Sequence, residues 1–309
     1  MVIFFSVVGV LLVAALAVSL KMYLQFFGRC DVKPYLAKED LVKARLDPFA
    51  DMILPAEHKL LTISPEDIYI DAYDGIKLHG AYYTVDDPKG TLMLVHGWRS
   101  SGVNDFSCII FEYMAMGYNV LLVSQRAHGK SGGKYICMGA KEKYDCKAWT
   151  EYLAQRMGED HGVVLDGISM GGATVLKASG LGLPQNVKGI IADSSFTHAR
   201  GVIKELAVAN KIPPYPALWL FELWFRVLGG CSMSESALDA IKNNTIPLLL
   251  LHGEADDFVP CYMTRQIHDA ATCKKTLFTV PEANHGLSYL CRKEECTKLL
   301  NEFLADVLG

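Results

Sequence analysis

Val163-Val164-Leu165-Asp166-Gly167-Ile168-Ser169-Met170-Gly171-Gly172-Ala173 is the most informative stretch of this chain. A short apolar run, Val163–Gly167, ends in a Gly-x-Ser-x-Gly turn, and a helical pattern follows at once over Ser169–Ser179. A serine on a sharp strand-to-helix turn needs small neighbours, because its backbone is strained and strand and helix approach closely. The turn leaves the hydroxyl at the helix N-terminus, where backbone N–H groups can stabilise an oxyanion. In a chain with 26 glycines the spacing alone is a weak signal. A plain helix cap at Ser169 is the competing reading.

Two further stretches strengthen it. The apolar strand Pro247–Leu251 leads into His252-Gly253-Glu254-Ala255-Asp256-Asp257-Phe258-Val259-Pro260. It delivers a carboxylate beyond its C-terminal end, where parallel sheets collect their active-site groups. The next strand, Thr276–Val280, is followed by Pro281-Glu282-Ala283-Asn284-His285-Gly286. Serine, carboxylate and histidine in this order can serve as nucleophile, orienting acid and base. Asp257 and Asp193 (in Ala192-Asp193-Ser194-Ser195) are alternative acids.

Around these loops, strands and helices alternate. Asp74-Gly75 between Ile68–Ala72 and Ile76–Thr84 predicts a hairpin. Strands are expected at Thr91–Val95, Asn119–Ser124 and Val187–Ala192, and helices at Phe106–Met116, Glu142–Arg156, Cys261–Ala270 and Tyr289–Leu308. Continuous apolar strands alternating with helices imply an α/β fold with a mostly parallel sheet and right-handed crossovers. Phe196–Asn243 breaks the alternation with an unusually long connection. It carries Pro213-Pro214-Tyr215-Pro216 and then Ala217-Leu218-Trp219-Leu220-Phe221-Glu222-Leu223-Trp224-Phe225, an aromatic-rich helix.

With these residues in view, the chain from about 65 to 309 resembles the α/β-hydrolase superfamily. Val95-His96-Gly97-Trp98 resembles the family's oxyanion loop. Arg126-Ala127-His128-Gly129-Lys130-Ser131-Gly132-Gly133 resembles its RGHGxSxG loop, with Ala127 where glycine is usual. The Ser169 elbow and the HGxxDxxVP block complete the likeness, which is closest to serine hydrolases of bacterial esterase and S9-peptidase-like type. The resemblance implies an α/β-hydrolase fold, its central sheet flanked by helices and a helical cap inserted between strands 6 and 7. It implies Ser169 as nucleophile, His285 as base and Asp256 as the acid, since the family spacing after His252-Gly253 selects Asp256. The backbone N–H groups of Trp98 and Met170 would form the oxyanion hole, with the Trp98 indole flooring the pocket. The cap position gives Trp219, Trp224 and Phe225 as substrate-contacting residues. His96, His128 and His252 are expected to be buried structural groups.

The N-terminus reads differently. Of residues 1–27, 22 are apolar, and Val2–Leu20 carries no charge. At about 1.5 Å per residue that run is close to the thickness of a bilayer's hydrocarbon core. Lys21, Tyr23, Phe26, Phe27 and Arg29 then form an interfacial belt. The expected division is a transmembrane anchor over 1–27, a linker and leading helix over 28–62, and a hydrolase domain over 63–309 with its cap at 196–243. A cleaved signal peptide is the alternative, but no Lys or Arg precedes the apolar run. Lys21, Arg29, Lys33, Lys38, Lys43 and Arg45 all follow it, so the positive-inside bias favours a cytosolic domain.

Composition narrows the function. The chain has 309 residues, a net charge of −4 and 51% hydrophobic residues. Mild acidity gives no support to nucleic-acid binding. Gly129-Lys130-Ser131 resembles the end of a phosphate-binding loop, but Ser124 stands where its first glycine is needed. No HExxH or paired His/Cys spacing suggests a metal, and no cofactor is expected. Nine cysteines without a CxxC pair read as scattered thiols, which agrees with a cytosolic setting. The expected activity is carboxylesterase-like hydrolysis of an ester or related acyl bond, on an apolar or lipid-like small molecule. Cleavage of small peptides and a non-catalytic membrane-anchored binding protein are the alternatives.

Overall fold

Central strands that are apolar along their whole length have to be covered on both faces, and this dictates the architecture. The computed structural model describes all residues except Leu36. Eight strands form one sheet in the order β1-β2-β4-β3-β5-β6-β7-β8. They are β1 (Glu66–Asp71), β2 (Lys77–Tyr83), β3 (Thr91–Val95), β4 (Asn119–Ser124), β5 (Val163–Ile168), β6 (Val187–Asp193), β7 (Leu248–Gly253) and β8 (Lys275–Val280). β1 pairs antiparallel with β2 and β2 with β4, while every other pair is parallel. All residues of β3 and β7 are buried. Asp74-Gly75 forms the expected turn, with Gly75 at φ 78°.

The helices are α1 (Val2–Phe27), α2 (Lys38–Ala44), α3 (Ala50–Leu61), α4 (Gly102–Ala115), α5 (Glu142–Met157), α6 (Met170–Ala178), α7 (Ala199–Ala209), α8 (Ala217–Trp224), α9 (Ala237–Ile241), α10 (Tyr262–Ala270), α11 (Ser288–Cys291) and α12 (Lys293–Leu308). One core layer gathers Trp149, Leu153, Val175, Leu176, Ile241 and Ile267 from α5, α6, α9 and α10. The opposite layer gathers Leu60, Phe106, Ile110, Tyr113, Leu300 and Leu304 from α3, α4 and α12. At roughly 25 cal/mol per Å² of apolar surface removed from water, these two layers supply most of the drive to fold. The long connection between β6 and β7 is the helical cap, α7 and α8, with α8 continuing as a wider turn over Phe225–Gly229.

Three elements differ from the sequence expectation. Residues 28–62 contain α2 as well as α3, and α3 packs along α4. Leu41, Ala50 and Ile53 bury a small core of their own. The helix expected over Tyr289–Leu308 is broken at Arg292, where φ is −132°. The break lets Ser288 turn its hydroxyl to the Asp193 carboxylate at 3.1 Å. α4 begins at Gly102, four residues ahead of its apolar pattern, because Ser101 caps it by accepting the Asn104 N–H at 3.2 Å.

α1 is long and apolar enough to cross a membrane, and most of it stands clear of the domain. Its last turns do not. Tyr23 and Phe27 are buried in a third cluster with Phe221 and Phe225 of the cap. All nine cysteines are free.

Candidate active site

β5 ends at Ile168, α6 begins at Met170, and Ser169 between them has φ 56° and ψ −115°. That is a left-handed backbone at a residue with a Cβ, a strained state held by its surroundings. The Ser169 N–H donates to the Asp193 carbonyl at 2.8 Å. Gly171 is needed for a close approach, since a Cβ there would lie 1.8 Å from the Val95 carbonyl oxygen. The elbow is thus wedged between β3 and β6.

The Ser169 Oγ lies 2.9 Å from His285 Nε2, and His285 Nδ1 lies 2.7 Å from Asp256 Oδ2. Asp256 Oδ1 accepts the backbone N–H groups of Phe258 (2.9 Å) and Val259 (2.7 Å). Burial pushes the Asp256 carboxyl up, but hydrogen bonds from His252 and His285 and the Val259 N–H outweigh it, holding the group at about 2. Asp256 is therefore anionic at neutral pH. Asp257 offers its backbone N–H to Asn284 and lies at the surface. Asp193 is buried, and its Oδ1 accepts the hydroxyls of Ser194 (3.0 Å) and Ser288 (3.1 Å). Of the three acids, Asp256 is the one in contact with His285.

The loop after β3 lies beside Ser169. The N–H groups of Trp98 and Met170 donate to no other group among the described residues. Asp105, in the first turn of α4, shapes this loop. Its Oδ2 accepts the Gly97 N–H at 2.6 Å and its Oδ1 the Ser100 hydroxyl at 2.5 Å. Burial raises its carboxyl above the usual range. Asp105 was not singled out from the sequence, although an acid in the first turn of the helix after His96-Gly97-Trp98 is a usable signal. Phe258 stacks on Trp98 at 6.1 Å and meets the His285 ring at 4.9 Å.

The three histidines expected to be structural, His96, His128 and His252, are buried. His96 is held down to about 3 and His128 to about 4, in both cases by burial, so both are neutral at pH 7. His96 accepts the Gln125 N–H at 3.1 Å, and His128 accepts the Arg99 N–H at 3.2 Å. His252 bridges Thr264 and the Val259 carbonyl. Arg126 is clamped by both Asp145 oxygens at 2.6 Å and by Asp74 at 2.9 Å. Ala127, at the usual glycine position, takes the left-handed φ of 60° that a glycine would hold at less cost.

A cavity of about 330 Å³ runs inward from Ser169 and His285. Its walls are Phe106, Ile109, Ile168, Ile191, Leu251 and Leu300, so it opens into the layer between the sheet and helices α4 and α12. Its inner end carries Asp166, whose Oδ2 accepts the Tyr113 hydroxyl at 2.6 Å. The aromatic residues expected to contact substrate from the cap do not line it. Phe225 is fully buried against Tyr23 and Phe27 of α1, at ring distances of 5.4 and 4.8 Å. The Trp224 indole donates to Ser19 Oγ at 2.9 Å. Trp219 is 62% exposed on the outer face. The cap helix spends its aromatic side on the end of α1, and that partner cannot be read from the cap's own sequence. Trp98 does line the cavity, and its indole donates to the Phe26 carbonyl at 3.0 Å.

A family model for the prolyl oligopeptidase (peptidase S9) family matches residues 104–309, two-thirds of the chain. The chain belongs to the prolyl oligopeptidase family. Among curated relatives of this prolyl oligopeptidase family member, the protein YqkD of Bacillus subtilis is 25% identical over 268 residues, covering 86% of each chain. The α/β hydrolase domain-containing protein WAV2 of Arabidopsis thaliana is 24% identical over 81% of this chain and 80% of its own. Among solved structures, the esterase Pf2001 of Pyrococcus furiosus is 26% identical, with a TM-score of 0.65 over 81% of this chain and 96% of that one. Est1E of Butyrivibrio proteoclasticus, solved with ferulic acid, shares the fold at 19% identity and a TM-score of 0.59, covering 78% of this chain and 99% of that one. The sheet order and the cap between β6 and β7 thus belong to an α/β-hydrolase, the fold that this member of the family was expected to have.

Proposed function

We propose that this chain is a serine hydrolase that cleaves an ester or related acyl bond through an acyl-enzyme. The observation that carries the proposal is the chain of contacts from Ser169 Oγ to His285 Nε2 and from His285 Nδ1 to Asp256, at 2.9 and 2.7 Å beside an apolar cavity. Ser169 attacks the acyl carbon while His285 takes its proton and then returns it to the leaving group. Asp256 fixes the imidazole tautomer and stabilises the imidazolium. The N–H groups of Trp98 and Met170 hold the developing oxyanion, each worth about 2.7–4 kcal/mol in comparable sites.

The cavity supports an apolar acyl group of modest size, since 330 Å³ is near the lower end for small-molecule sites. The esterase title of Pf2001 supports an ester substrate. The family match itself favours a second reading, a peptidase acting on small peptides. In either reading α1 serves as a membrane anchor ahead of the hydrolase domain, and the positive-inside bias of Lys21, Arg29, Lys33, Lys38, Lys43 and Arg45 favours a cytosolic domain.

A fluorophosphonate probe tests the nucleophile without knowledge of the substrate. Wild type should label, and Ser169→Ala should not. On p-nitrophenyl esters of graded chain length, Ser169→Ala should lose about 10⁴–10⁶ of kcat. Equal labelling in the variant, or ester activity that survives it, overturns the catalytic assignment. Turnover of peptides but no ester would select the second reading.

A further inference from the structure

We propose that the outer face of the cap helix α8 is a docking surface for the lipid bilayer, which it enters beside the anchor. The proposal rests on α1 being that anchor.

The stripe comes first from spacing. Tyr215, Trp219, Leu223 and Val227 recur every four residues and so share one helical face. All four are exposed, Trp219 and Val227 at 62% each. Ile212 and Val208 extend the same apolar surface toward α7. Arg226 is the only exposed charge between Ala217 and Gly229. The one acid there, Glu222, is turned aside to Ser232, the Met233 N–H and Arg226. A contiguous apolar face of this kind marks an interaction site on an otherwise polar domain.

Continuity with α1 identifies the occupant. Lys21 is the first charge in α1 and marks where that helix leaves the hydrocarbon. Ser19, just before it, already bonds Trp224, and Tyr23, just after it, already packs on Phe225. Phe27 then meets Phe221. α8 therefore runs back along α1, with its C-terminal end toward the bilayer and Val227 exposed at the level of the first charge. The domain cannot swing away from this arrangement. The Ile136 N–H donates to the Phe27 carbonyl and the Cys30 N–H to the Ala127 carbonyl, at 2.7 and 2.8 Å. Arg29 reaches the Ser131 and Gly129 carbonyls, and Arg99 reaches the Gln25 carbonyl. A span fixed so firmly to α8 brings the stripe to the headgroup region, where tryptophan and arginine are favoured side chains.

The test uses the full-length chain reconstituted into phosphatidylcholine vesicles, with flotation as the first readout. The Trp219 signal is the difference between wild-type and Trp219→Phe emission. A nitroxide on the lipid headgroup should quench this difference signal strongly, and aqueous iodide should quench it only weakly. Leu223→Asp combined with Val227→Asp should reverse the two, with near-UV circular dichroism unchanged and the protein still floating. Protein that floats while iodide reaches Trp219 overturns the docking surface and leaves the anchor standing. Protein that does not float overturns both. Trp219 shielded from both quenchers, with cross-linked dimers appearing, overturns the proposal in favour of a second copy.

Discussion

Asp256 carries two consequences at the scale of single residues. Its carboxyl is held at about 2, below the unfolded value of about 3.9. A depressed carboxyl stabilises the folded chain above the unfolded value and loses that contribution as pH falls toward 2. Asp256→Asn should remove this acid-side dependence and, by leaving the imidazole in the wrong tautomer, lower kcat by about 10⁴. Ester turnover and acid denaturation of the same variant check both. Among the described residues Asp105 is hydrogen-bonded to Gly97 and Ser100, on either side of Trp98, rather than to Ser169 or His285. Asp105→Ala should lower kcat by about tenfold or more while KM stays near its original value, because the freed Trp98 N–H matters mainly in the transition state. A rise in KM at unchanged kcat would show instead that the loop only binds substrate.

At the scale of elements, the end of α1 acts as part of the cap. Phe27 is buried against Phe221 and Phe225, and the neighbouring carbonyls of Gln25 and Phe26 receive Arg99 and Trp98. Phe27→Ala should cost about 3–5 kcal/mol of stability, the usual range for truncating a buried phenylalanine. Urea denaturation of the full chain in detergent measures it, and a loss below about 1 kcal/mol would mean that α1 and the cap are independent units. This element also shows where the sequence stops being informative. The strands β3, β5 and β7 and the loops after them were legible, because buried runs ending in Gly-x-Ser-x-Gly or His-Gly-x-x-Asp carry their geometry in local residue types. The cap was legible as an insertion, but its aromatic residues Trp219, Trp224 and Phe225, expected to contact substrate, do not line the cavity, and Trp219 is exposed. Which surface those aromatics face was not legible, because Phe225 finds its partner about 200 residues away in α1. The break at Arg292 was hidden for the same reason, since Ser288 is drawn to Asp193 by a tertiary contact within an unbroken helical pattern. Asp105 sits in an ordinary first turn, and only the folded loop reveals what it holds.

For the whole molecule, buried acids and buried histidines pull the pH dependence in opposite directions. Glu57 on α3 is fully buried, and burial outweighs the Tyr35 backbone N–H that favours its charged form. Asp166, at the inner end of the cavity, is also buried, with the Tyr113 hydroxyl on one oxygen. Burial raises both carboxyls to about 7. The unfolded chain releases these protons near pH 4, whereas the folded chain keeps them until about pH 7. In that window these two groups bind more protons in the folded state, so their contribution falls as pH rises and levels off above about 7, while His96 and His128, neutral when folded, contribute with the opposite sign. The loss is on the order of 4 kcal/mol for each carboxyl, from 1.36 kcal/mol per pKa unit. Asp105 and Asp193, also raised by burial, act in the same direction as Glu57 and Asp166. Below about 4 the depressed Asp256 opposes them as well. Glu57 and Asp166 should therefore lower the melting midpoint at pH 8 relative to pH 5, and a variant lacking them isolates their share of the difference between the two pH values. Glu57→Gln combined with Asp166→Asn removes two of the ionisations and keeps the side-chain volumes. It should raise the midpoint at pH 8 relative to that at pH 5, and an unchanged slope between the two pH values would rule out any share from these two carboxyls.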